Sequence, residues 1–113
     1  MRSYQLFINL SQNIEIQIGK LGLFTFPKGT YVYTGSAKIN IEKRIARHQS
    51  KDKNLHWHID YLLANEQTNI IKVTKSELRE CDLNTDVKGK IIVEGFGNSD
   101  CKENCKSHLK FLS

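Results

Sequence analysis

No stretch of this sequence approaches the roughly 20 consecutive apolar residues of a membrane-spanning helix, and no apolar leader core follows Arg2. Membrane-embedded and exported classes are set aside, and a cytoplasmic protein with no membrane partner is expected. Cysteine is scarce. Cys81, Cys101 and Cys105 are three in number, two of them close together, which does not read as a disulfide framework. The nucleophile elbow G-x-S-x-G, the P-loop and the dinucleotide-binding glycine fingerprint are missing. Repeats, low-complexity tracts, linkers and lipidation motifs are missing too, so residues 1–113 read as a single domain.

What is present suits one globular core: 113 residues of which 39% are hydrophobic, with a mean hydropathy of -0.46. A formal charge of +5 and a pI near 9.2 favour a polyanionic partner, but suit a lysine-rich surface equally well.

Tyr4, Leu6, Ile8 and Leu10 alternate with more polar positions, as do Ile14, Ile16 and Ile18, so two strands joined as a hairpin are predicted. Leu23 to Phe26 forms a short apolar piece, and Pro27-Lys28-Gly29 turns the chain into the β-rich run Tyr31 to Thr34. Gly35 and Ser36 end that run; Asn40 then caps a basic helix whose first turn carries Glu42. Further on, Ile59, Leu62 and Leu63 give a helical stripe within Leu55 to Ala64. Ile70 to Val73 reads as a strand. Thr74-Lys-Ser-Glu77 fits a capping box for a helix over Glu77 to Leu83 with Leu78 inward. Ile91 to Val93 supplies a last strand, and the tail from Gly95 to His108 is expected to be a structured loop. The fold class is α/β, a small and mostly antiparallel sheet flanked by helices.

Several constellations carry chemistry. Arg44 and His48 stand four apart on one helix face, and Tyr33 lies at the strand end feeding the same corner, an arrangement suited to an anion. Glu77 and Glu80 are candidate ligands for a hard cation, since Mg2+ commonly takes one or two carboxylates and keeps several waters. His56 and Asp60, also four apart, are expected to hydrogen-bond. Cys101, Cys105 and His108, with Cys81 as a further donor, have zinc-ligand residue types at a spacing outside the common patterns, so reduced thiols, a Cys101 to Cys105 disulfide and a structural Zn2+ all remain open. Lys51 and Lys53 touch either a phosphate backbone or water.

Tyr33-Thr34-Gly35, the run from Gly35 to Arg44, His48, His56-Trp-His-Ile-Asp-Tyr-Leu-Leu63, Gly95 to Cys101 and Ser107-His-Leu109 resemble the GIY-YIG nucleases, and within them the small Uri-type endonucleases. The resemblance covers nearly the whole chain. Tyr33 matches the second tyrosine of the family. The first is matched by Tyr4 in Arg2-Ser3-Tyr4, which lacks the family's glycine; Gly29-Thr30-Tyr31 lies too close to Tyr33. Tyr4 shares strand parity with Leu6 and Ile8, so core and site readings both stand.

The resemblance implies a metal-dependent endonuclease hydrolysing phosphodiester bonds in DNA, with branched DNA or RNA not excluded. Its implied site is Tyr4, Tyr33, Arg44, His48 and Glu80, with Glu80 holding Mg2+ or Mn2+ and Glu77 as the fallback. Gly35, Ser36, Lys38, Arg47, Lys51 and Lys53 are the candidates for contacting nucleic acid. A partner protein for targeting is a further expectation, with the oligomeric state left open. The rival readings are a non-catalytic nucleic-acid-binding module with the same fold and a zinc-stabilised interaction domain.

Overall fold

The computed structural model describes residues 2–37, 39–52, 54–97 and 106–113. Its centre is strand β1 (Ser3–Leu10), whose alternating residues Tyr4, Leu6, Ile8 and Leu10 are each 2% exposed or less. Apolar alternation on this scale requires a covered face. The strand is flanked on both edges, by β4 (Gly29–Ser36) and by β5 (Thr68–Ser76), and β6 (Leu109–Phe111) extends the sheet beyond β4 in the antiparallel order β5-β1-β4-β6. The α/β class with an antiparallel sheet and flanking helices is as the sequence predicts.

Pairing departs from the sequence reading in one instructive way. The predicted hairpin of the first two strands does not form: β2 (Ile14–Ile18) pairs with β3 (Gly22–Phe26) in a separate two-stranded sheet. Alternation fixes which face of a strand is buried and is silent about its neighbour. The β2–β3 ribbon contributes Ile18 and Phe26 to the core.

Helix α1 (Ile41–Gln49) starts where predicted, with Asn40 in the left-handed conformation at φ 55° and its side-chain oxygen accepting from the Lys43 N–H at 3.2 Å. Glu42 in its first turn pairs with Lys75 of β5. Helix α2 (His58–Leu63) is shorter than the predicted span. Asp60 accepts from the backbone N–H groups of His56 and Trp57, each at 2.8 Å, and so holds these two residues outside the helix. The predicted hydrogen bond between the His56 and Asp60 side chains is therefore replaced by a capping contact to the His56 backbone.

Helix α3 (Glu80–Asp86) begins later than the Thr74 capping box predicts, because Thr74, Lys75 and Ser76 continue β5 opposite Gln5, Tyr4 and Ser3. Leu78, predicted inward, is 52% exposed. In place of a strand at Ile91 to Val93 there is a single bridge between Lys90 and Phe111, while Val93 and Phe96 are buried beneath the sheet. Among the described residues no helix is long and apolar enough to cross a membrane.

Candidate active site

Sheet register brings the two tyrosines together. Leu6 lies opposite Tyr33 and Tyr4 opposite Gly35, so Tyr4 and Tyr33 are diagonal neighbours on one face of adjacent strands. Gly35 makes this approach sterically feasible: a Cβ there would fall 2.6 Å from the Tyr4 ring and 3.1 Å from the Tyr33 ring. Both phenols open on a cleft of about 150 Å³ lined also by Ser36, Arg44, His56, Trp57, His58, Glu80 and Gly97. Tyr4 is thus both core and site, its ring buried and its hydroxyl at the cleft.

Each wall has its own anchor. Arg44, from α1, donates to the Ser36 carbonyl at 2.5 Å and lays its guanidinium over the Trp57 ring at 4.7 Å. Behind Tyr4, His48 Nε2 lies 2.7 Å from the Tyr4 hydroxyl, and the His48 residue is only 2% exposed. Glu80, in the first turn of α3, is held through both oxygens: Ser36 Oγ donates to Oε1 at 3.3 Å, and His108 Nδ1 lies 3.2 Å from Oε2. His108 is fully buried, and its Nε2 has no hydrogen-bond partner among the described residues.

Burial drives the Tyr4 phenol well above its ordinary pKa despite the opposing charge and hydrogen bond of Arg44, with Glu80 and Asp60 pushing the same way as burial. Tyr33 is likewise raised by burial, reinforced by Tyr4 and Glu80. Both phenols are therefore neutral around pH 7.

Other predicted residues lie elsewhere. Arg47 is committed to buried Asp60 through two hydrogen bonds of 2.8 and 3.0 Å, to the Asn54 carbonyl at 2.7 Å, and to the Trp57 face. Lys51 Nζ sits 2.6 to 2.7 Å from the carbonyls of Leu63, Asn65 and Thr68, closing the end of α2. Neither presents its charge to the cleft, and Gly35 is buried between the tyrosines. Ser36 does line the cleft, as a partner of Arg44 and Glu80. Glu77 is exposed and does not line it. Lys38, Lys53, Cys101 and Cys105 lie outside the described residues; Cys81 is disulfide-bonded and so offers no thiolate to a zinc ion.

The cleft's anionic oxygen ligand is the Glu80 carboxylate, with the hydroxyls of Ser36, Tyr4 and Tyr33 beside it. Among the described residues no group of three or more His, Cys, Asp or Glu converges as a ready metal cage. A hard oxygen ligand beside an open cleft fits an ion that keeps most of its water, as Mg2+ or Mn2+ does.

Sequence reasoning missed the wall formed by His58 and Gly97 and the support of Glu80 by His108. The first rests on a contact between distant parts of the chain, the Gly97 N–H donating to His58 Nδ1, which no local spacing reveals. The second depends on β6, three residues long and too short for periodicity to reveal.

In comparisons with known proteins, the family model described as "Domain of unknown function DUF123" matches residues 3–113. No curated protein and no solved structure gives a match.

Proposed function

We propose that this chain, which belongs to the DUF123 family, is a divalent-metal-dependent endonuclease that hydrolyses phosphodiester bonds in DNA, with branched DNA or RNA as further substrates. The observation that carries the reading is the convergence of Tyr4, Tyr33, Arg44 and Glu80, from β1, β4, α1 and α3, on one cleft. These are the residues that the resemblance to the Uri-type GIY-YIG nucleases picks out. Nothing in the packing of a core calls for a guanidinium, a carboxylate and two phenols around one void.

In this reading Glu80 would hold Mg2+ or Mn2+, which when bound would supply Lewis-acid stabilisation of the charge that develops in hydrolysis. The chain's own groups do the rest. A phenol kept neutral by burial is no base by itself, but Tyr4 can accept a proton from the attacking water while passing its own to His48 Nε2, 2.7 Å away. The water oxygen bonds to phosphorus as the bond to the leaving oxygen breaks, and the leaving oxyanion takes its proton from solvent in the open cleft. Arg44, its plane set by Trp57 and the Ser36 carbonyl, stabilises charge growing on the phosphoryl oxygens. Tyr33, whose phenol lines the same cleft, positions Tyr4 and the phosphate.

A non-catalytic binding module would use the basic helix as its contact surface. The inward commitment of Arg47 and Lys51 counts against that alternative. The decisive experiment incubates the protein with supercoiled plasmid and Mg2+ or Mn2+. Wild type is expected to nick, and Arg44→Ala and Glu80→Ala to nick at least about 100-fold more slowly. A wild type inert across metals and substrates, or variants as active as wild type, would remove the enzyme reading.

A further inference from the structure

We infer that His58 is a catalytic residue of this cleft, donating a hydrogen bond from Nε2–H to a non-bridging phosphoryl oxygen; the inference rests on the nuclease reading above. The Gly97 N–H donates to His58 Nδ1 at 3.0 Å. A backbone N–H donates only to a nitrogen that carries no proton, so the single ring proton resides on Nε2. The same lock denies Nε2 to a metal, which needs its lone pair. His58 is therefore a neutral donor at the cleft wall, not a ligand.

The lock is itself held. The His58 ring packs against Phe96, centroids 5.7 Å apart, and Phe96 is fully buried. Gly97 has φ +67°, and a Cβ there would fall 3.0 Å from Tyr33 Cε1. His58 thus reads the position of Tyr33 through Gly97, and the donor and the phenol are fixed in one frame. His56 lines the same wall but is exposed. A fixed donor costs no reorganisation as charge develops on the phosphoryl group, which is where such hydrogen bonds contribute most.

Two substitutions separate the structural bond from the chemical one. In His58→Asn the amide oxygen takes the place of Nδ1 and keeps the Gly97 contact while Nε2–H is lost; His58→Gln restores an N–H near Nε2. The expected result in plasmid nicking is a kcat about 100-fold lower for His58→Asn, with half-saturation and melting temperature close to wild type, and a loss of less than about tenfold for His58→Gln. An active wild type with His58→Asn cleaving within threefold of it overturns the inference.

A second measurement does not require turnover. Long-range 1H–15N spectra of histidine-labelled wild type should show His58 as the Nε2–H tautomer, with its Nε2 resonance shifting on addition of thymidine dinucleotide. An Nδ1–H tautomer, or an Nε2 signal indifferent to the dinucleotide, overturns the inference even if the protein nicks DNA. If wild type is inert, the nuclease reading falls, and this spectrum alone decides whether His58 meets a phosphodiester.

Discussion

Gly35 shows how one missing side chain sets the site. The Tyr4 and Tyr33 rings occupy the volume that a Cβ at 35 would need, so the glycine two residues after Tyr33 is a space requirement of the paired phenols. Gly35→Ala is expected to destabilise the fold by about 1 to 3 kcal/mol through overpacking and to abolish nicking by displacing the Tyr4 hydroxyl from His48. Denaturant unfolding and plasmid assays measure both effects. The cause is identified by a double-mutant cycle: in a Tyr4→Ala background the ring is gone, and Gly35→Ala should then cost well under about 1 kcal/mol. Equal costs in the two backgrounds would place the glycine's importance elsewhere.

At the scale of the element, an ion pair between half-buried Arg47 of α1 and fully buried Asp60 of α2 joins the two helices. Burial raises the Asp60 pKa, but the hydrogen bond from Arg47, the N–H groups of Trp57 and His56 and the charge of Arg47 together outweigh it, and the net shift is downward. A carboxyl depressed in the fold contributes its full stability above the unfolded value near 3.8 and loses it as pH falls through the lower folded value. Asp60→Asn should therefore destabilise by about 2 to 4 kcal/mol at pH 7. Its deficit against wild type should shrink below about pH 4, as urea unfolding at pH 7 and pH 3 would show; a deficit constant with pH would refute the assignment. The same region shows what was legible in sequence. The Asn40 cap and the shared face of Arg44 and His48 are set by neighbours within one helix, and so are legible in the sequence. Spacing alone offers Asp60 a side-chain partner four residues back, whereas its partners in the fold are two backbone amides and an arginine from another helix. Arg47 and Lys51 look like surface cations in sequence because the carbonyls and carboxylate that absorb them come from elsewhere in the chain. The late start of α3 has the same origin: a local capping signal at Thr74 yields to sheet pairing with β1 over the full length of β5.

For the whole molecule, the net charge of +5 overstates the grip on a polyanion, since the side chains of Arg47 and Lys51 are turned to Asp60 and to backbone carbonyls and away from the cleft. Among the described residues Arg44 is the lysine or arginine that lines the cleft, and with one or two flanking surface lysines about two to three phosphate contacts are expected. DNA affinity should then fall roughly 10- to 40-fold between 50 and 200 mM salt, by the usual counterion-release slope. Fluorescence anisotropy with Glu80→Ala tests this, and a loss of 1,000-fold or more would reveal a far wider basic footprint. The sheet order has a kinetic meaning as well. The central strand finds its partners far away in sequence, Tyr4 beside Gly35 on one edge and beside Lys75 on the other, so long loops must close before the pairing rewards them, as in slow-folding topologies. Those closures also bring Tyr4 to Tyr33 and carry Glu80 up to Ser36. Recovery of cleavage during refolding would accordingly keep time with formation of the sheet, and the cleft would serve as a clock for the fold.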